Sequence, residues 1–160
     1  MAWYTVSMEI VFRLAQCRDI LTLGQHIQNV VEVSDLQVAQ PARICRMVDE
    51  AVSTGNAFVC EVDGKVVGSL CAKWREDWFG ARTVEIGNLW MNKGQSPRTV
   101  YRLLLFAYEH LSTRGAEQFM LTEAAGSPHK PFAALGFKTV ATIKVGSVDE
   151  VGQALLKRGK

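Results

Sequence analysis

The run "AFVCEVDGKVVGSLCAKW", residues 57–74, limits what this chain can fold into more than any other segment. Two β-rich stretches flank Asp63-Gly64, and a two-residue type I′ turn requires φ > 0 at both central positions, which Gly adopts freely and Asp tolerates. The segment is expected to be a β-hairpin. The chain therefore contains antiparallel sheet, and the remaining elements must be arranged around it.

Upstream, "SMEIVFRL" (7–14) alternates as a first strand should. From Cys17 to about Val31, the residues Ile20, Leu21, Leu23, His26, Ile27 and Val30 form a broad helical stripe. A second helix is expected from Pro41 to Ser53, with Pro41 in the first turn and Ile44, Met47, Val48 and Ala51 on one side. Downstream, "REDWFGAR" (75–82) reads as a loop and "TVEIGNLWM" (83–91) as a strand with an irregularity at Gly87-Asn88. Ser96 as N-cap and Pro97 at the first helical position open a helix whose buried side carries Val100, Leu103, Leu104, Ala107 and Leu111, ending near Gly115. "EQFMLTEA" then reads as a strand, "PHKPFAALGF" as a short helix ended by Gly136, and "KTVATIKV" as a closing strand. The tail "VDEVGQALLKRGK" adds one or two helical turns. The expected class is mixed α/β in the order β-α-α-β-β-β-α-β-α-β.

Composition narrows the function. With 160 residues, 48% of them hydrophobic, the chain suits one domain (1–160, core 8–145, tail 146–160) with its own core. No segment approaches the about 18–20 uninterrupted apolar residues of a bilayer span, and the N-terminus lacks a signal-peptide layout. A cytoplasmic protein is expected, with no membrane partner. A net charge of +2 gives no reason to invoke nucleic acid. Cys17, Cys45, Cys60 and Cys71 form no CxxC pair and have no His at metal spacing, so no metal is expected and the thiols read as reduced, mostly buried small hydrophobes.

The order of elements, with "FVCEVDGKVVGSL", "VEIGNLWM", the helix after "GQSPRTVYRLL" and "PFAALGF", resembles the GNAT superfamily of acyl-CoA-dependent N-acyltransferases over residues 8–145. The stretch "FGARTVEIGNLWMNKGQSPRTVYRLLLFAYEHLSTRGAEQFMLTEA" is similar to compact GNAT-like proteins encoded by phages and prophages. The resemblance implies a largely antiparallel central sheet flanked by helices, acetyl-CoA as cofactor, and an amine acceptor, either a small molecule or a protein. It also implies that backbone groups of Leu89, Trp90 and Met91 pair with the pantetheine arm at a splayed strand. The family's pyrophosphate loop, Arg/Gln-x-x-Gly-x-Gly/Ala, falls on Gln95, Arg98 and Val100, so its first residue is kept and both glycines are replaced.

A helix N-terminus holds phosphate through unpaired N–H groups and a partial positive charge, whatever its side chains. Pro97 removes one donor, and Arg98 and Val100 put side chains where the ligand would approach. Lys93, Arg98 and Arg102 supply compensating charge, and Ser96 and Thr99 complete the implied cofactor loop. The same stretch also reads as an ordinary capped helix whose basic residues face water.

Acyl transfer needs the acceptor amine, with a pKa of about 10.4, to lose a proton. Glu85 falls where many family members carry a base, and it also reads as a strand carboxylate facing solvent or paired with Arg82. Glu123 is the second candidate. The family's acid, a tyrosine on the short helix, falls on Phe132, and its asparagine on Ala125; a thiol with a pKa of about 8.5 can leave unaided, so these losses slow transfer without forbidding it. His129 in "SPHK" reads as a surface residue, and Trp74, Trp78 and Phe79 as burying the loop before the central strand. No nucleophile triad competes.

Two readings therefore stand. One is an acetyl-CoA-dependent N-acetyltransferase with Glu85 as base, divergent and weak. The other is a catalytically silent GNAT-like binding or assembly module with a protein partner or a homo-oligomeric state, in the host cytoplasm or a virion if phage-encoded; Arg98, Val100 and Phe132 jointly motivate it.

Overall fold

The computed structural model describes residues 8–33, 40–76, 80–121, 135–137 and 147–158. They belong to two compact units, Met1–Ala125 and Gly126–Lys160. In the first, β1 (Ile10–Leu14) leads through a 3-10 turn (Cys17–Asp19) into α1 (Ile20–Val33) and α2 (Pro41–Ser53), then β2 (Ala57–Val62), β3 (Lys65–Glu76), β4 (Arg82–Met91), α3 (Pro97–Thr113) and β5 (Gln118–Leu121). The sheet order is β1-β2-β3-β4-β5, antiparallel except for the parallel β4–β5 pair.

The Asp63-Gly64 hairpin forms as its sequence requires, with φ of 49° and 77° and Val62 paired to Lys65. The first strand begins at Ile10, later than its alternation suggested. Glu9 and Asp63 there exchange hydrogen bonds through a side chain, Glu9 N–H to Asp63 Oδ1 and Asp63 N–H to Glu9 O, in place of ladder bonds. The loop expected at 75–82 is shorter, because the ladder continues through Arg75↔Thr83 and Glu76↔Arg82. Polar residues on an exposed ladder carry no apolar period to reveal it.

Alternation sorts the strand residues onto two faces. Phe58, Cys60, Leu70, Ala72, Val84 and Ile86 pack with Leu103, Ala107 and Leu111 of α3. Ala57 and Val59 pack on the opposite face with Leu23 and Ile27 of α1 and Ile44 and Val48 of α2. Within the helical stripes Leu21 and Met47 lie outward instead. Arg13 ties the start of α1 to the sheet: its guanidinium donates to Asp19 Oδ2 and Oδ1 at 2.7 and 3.0 Å and also to Glu61. Burial pushes the Asp19 carboxyl up, but bonds from Arg13 and the Gln16 N–H more than offset this and leave it below the ordinary carboxylate range.

The cysteines depart from expectation. Cys60 is buried and Cys71 half-buried, whereas Cys17 and Cys45 are exposed; all four thiols are free. Both exposed ones lie in helical segments, where the stripe around them sets which side faces water.

In the second unit, α4 (Val148–Arg158) is longer than the one or two turns expected. Ser147 Oγ accepts from the Glu150 N–H at 3.2 Å and donates to Glu150 Oε2 at 3.0 Å, so Ser147 caps the helix in the stretch "SVDE". Most of the expected short helix and all of the closing strand lie outside the described residues.

Candidate functional site

The site is organised by the irregularity in β4. Ser69 pairs with Trp90 and Cys71 with Gly87, so Leu70 alone opposes Asn88 and Leu89. This is a β-bulge, and Asn88 takes the left-handed φ of 53° that it requires. The extra residue inverts the alternation. Val84 and Ile86 face α3 before the bulge, and Leu89 and Met91 face it afterwards. Trp90 is turned to the other side, its ring 6.3 Å from that of His26. The parallel pairing of β4 with β5 runs from Thr83↔Gln118 to Ile86↔Leu121 among the described residues, just ahead of the bulge.

His26 is buried on that side, its Nδ1 2.7 Å from the buried Ser69 Oγ, and burial lowers its pKa. Sequence periodicity marked His26 only as part of a helical stripe. Its bond to β3 depends on a register that periodicity does not carry.

Beyond Met91, Asn92 accepts from Trp90 Nε1 at 2.9 Å, and the turn passes through Gly94 at φ 89° before Gln95 and Ser96. Glycine is thus present where the turn demands it, one residue ahead of the positions compared with the family loop. Ser96 caps α3, its Oγ accepting the Arg98 N–H at 3.2 Å, while the Thr99 N–H donates to Ser96 O at 2.9 Å. Pro97 has no N–H, so the first three positions of α3 leave no open donor. Among the implied loop residues, Arg98 and Ser96 are exposed and Gln95 is half-buried. The Thr99 side chain is buried, and the Arg102 guanidinium lies 4.8 Å from the Phe12 ring centroid, against β1.

Glu85 sits on the α1/α2 side of β4 and lines a cavity of about 410 Å³. Among the described residues its ion-pair partner is Arg75, not the Arg82 considered from the sequence. Arg75 was missed because the two residues are diagonal across the ladder, Lys73 being the direct partner of Glu85. Arg82 instead lies 5.2 Å from the Trp74 ring, with Arg114 at 5.5 Å. Trp74 is half-buried and donates from Nε1 to Asn56 Oδ1 at 3.1 Å, and Arg114 also donates to Asn56 Oδ1, at 2.8 Å. Cys71 lines the cavity too, but burial pushes its thiol up to about 12, so it is protonated at neutral pH and unsuited to act as a nucleophile. Among the described residues no group of three His, Cys, Asp or Glu side chains is arranged to hold a metal, and no helix is long and apolar enough to cross a membrane. Glu123, Ala125, His129, Phe132, Trp78 and Phe79 lie outside the described residues.

A mostly antiparallel sheet with a bulged central strand, two helices on one face and one on the other is the GNAT acetyltransferase fold, and solved structures of that class superpose on this chain. A predicted acetyltransferase from Clostridium acetobutylicum, solved with acetyl-CoA, is similar over 95% of this chain and 100% of its own, with a TM-score of 0.73 at 12% identity. A GCN5-related N-acetyltransferase from Ralstonia eutropha matches 87% of this chain and 99% of its own, with a TM-score of 0.67 at 15% identity. Glucosamine-6-phosphate N-acetyltransferase from Arabidopsis thaliana matches 88% and 99%, with a TM-score of 0.62 at 14% identity. No protein-family model and no curated protein sequence matches the chain.

Proposed function

We propose that this chain is an N-acyltransferase that takes an acetyl group from acetyl-CoA and delivers it to an amine. The observation that carries the reading is the junction in β4: the β4–β5 pairing reaches Ile86, the bulge follows at Asn88, and Glu85 lines a cavity on one side of the same strand. The fold likeness to acetyltransferases, one of them solved with acetyl-CoA, supports it. Bound acetyl-CoA supplies an acyl thioester whose C–S bond breaks as the amide C–N bond forms, the thiolate leaving with the bonding pair.

The chain's residues fit this group unevenly. On this reading, backbone N–H and C=O groups of Leu89, Trp90 and Met91 pair with an extended pantetheine. At the start of α3, however, the donors are already taken, so a phosphate must exchange with Ser96 Oγ for the Arg98 N–H instead of filling an open cradle. The holding charge therefore falls to Arg98 and Lys93, with Gln95 at the turn; Thr99 contributes from beneath, and Arg102 only by leaving Phe12. Glu85 accepts the proton of the incoming ammonium, directly or through a water, while its contact with Arg75 fixes the carboxylate at the cavity wall. Glu123 is the alternative base.

Isothermal titration with acetyl-CoA tests the reading. Micromolar affinity is expected, falling about tenfold in Arg98→Ala, as suits loss of one charge-assisted contact. No heat at millimolar acetyl-CoA would overturn it.

A further inference from the structure

The cavity beside Glu85 is small and carries charges of both signs. Its volume of about 410 Å³ lies within the range of roughly 300–1,000 Å³ common for small-molecule sites. Among the described residues four charged side chains line it: Glu50 from α2, Lys73 and Arg75 from β3, and Glu85 from β4. Arg75 and Glu85 neutralise one another. Among the described residues the other two, Glu50 and Lys73, take part in no ion pair, although both open onto the same cavity. Both side chains are exposed where they line it, and one carboxylate and one ammonium without a protein partner among these residues suit a ligand that has one charge of each sign.

We propose that the acceptor is a small zwitterionic amine, an α-amino acid with an apolar side chain, its carboxylate on Lys73 and its ammonium between Glu50 and Glu85; the inference rests on the N-acyltransferase reading above. Lys73 and Glu85 are direct partners across the β3–β4 ladder, and residues so paired stand about 4.5–5.5 Å apart at Cα. Neighbouring opposite charges on the wall match a ligand whose carboxylate and ammonium share one carbon. Buried Ile27 and, on the exposed side of the lining, Met47 give an apolar part for the side chain. A polyamine would meet Lys73 and Arg75 as repelling charges, and a folded protein surface does not enter a cavity of this size.

In the transfer, the ammonium gives one proton to Glu85, the nitrogen lone pair forms the C–N bond to the acetyl carbon as the C–S bond breaks, and the second proton shed by the nitrogen goes to the departing thiolate, which leaves as the CoA thiol. The product is an N-acetylamino acid, which has lost its positive charge. The product keeps its carboxylate for Lys73 but offers no cation to Glu50, so it is held less well than the substrate.

The test uses matched pairs that differ only by the carboxylate: methionine against 3-(methylthio)propylamine, and phenylalanine against 2-phenylethylamine, with CoA release as the readout. The amino acid should exceed its decarboxylated partner about tenfold in kcat/KM, expressed in KM, the size expected of one contact between charged groups. Lys73→Gln should bring that ratio to about one, and Lys73→Arg should restore part of it. A ratio of one or below in the unaltered protein, or a ratio untouched by Lys73→Gln, would overturn the proposal. So would transfer to other amines only, or binding of acetyl-CoA with transfer to neither pair, and in both cases the acyltransferase reading survives. Absence of acetyl-CoA binding removes both.

Discussion

On the face of the sheet covered by α3, Phe58, Leu70 and Val84 meet Leu103 and Leu111, and none of the five has measurable exposure. On the face covered by α1 and α2, close packing surrounds β2 through Val59, Leu23 and Val48, but over β3 and β4 it gives way to a cavity walled by charges. The two faces share the same strands, and a step of one residue separates them: Ile86 belongs to the first and Glu85 to the second. Fold stability is concentrated on one side and polar chemistry on the other. The site can therefore carry charged side chains without placing them in the main core.

The sharpest way to break that comparison is to change the two neighbours separately. Glu85→Gln should lower kcat/KM by about 10²- to 10⁴-fold, the range for a positioned acid or base, while leaving the denaturation midpoint nearly unchanged because its ion pair with Arg75 is partly exposed. Ile86→Ala should do the reverse, costing about 2–5 kcal/mol in urea unfolding with little effect on turnover where the protein remains folded. If the two variants lost stability equally, the division between faces would be wrong. Asn88→Val tests the bulge between them: a β-branched residue at φ 53° should cost about 1–2 kcal/mol, whereas Asn88→Gly should be close to neutral, again read by denaturant midpoint.

The smallest expected effect concerns pH. Burial lowers the folded-state pKa of His26, so the unfolded chain binds a proton more readily. Stability from neutral His26 is full above its ordinary value of about 6.5 and declines as pH falls from there toward the lowered folded value. Denaturation midpoints should drop between pH 7.5 and 5.5, and His26→Gln should flatten that slope. An equal slope in the variant would assign the dependence to other groups.

What was legible in the sequence was local. Asp63-Gly64, Ser96-Pro97 and Gly87-Asn88 each specify backbone geometry through their own φ preferences or hydrogen bonds, and all three act as expected. The strand order through β5 followed from them. The Ser147 cap in "SVDE" was equally local and was passed over. What escaped was set by register: Arg75 on Glu85, Arg82 and Arg114 on Trp74, and His26 on Ser69 join residues between 8 and 43 positions apart. Hydrophobic period says which side of a strand is apolar, but not which polar groups meet on the other side. The cavity arises only when those pairings are fixed.

The bulge in β4 works as a change of reading frame in three dimensions. Upstream of Asn88, even-numbered residues belong to the α3 side; downstream, odd-numbered ones do. Deleting Asn88 would transpose every later side chain of the strand at once, sending Trp90 toward α3 and Leu89 and Met91 toward His26. Substitutions at 89–91 can be absorbed singly, whereas a change of length there cannot. Among chains of this architecture, the spacing between the Glu85 and Trp90 positions should therefore drift less than the identity of the residues that fill it.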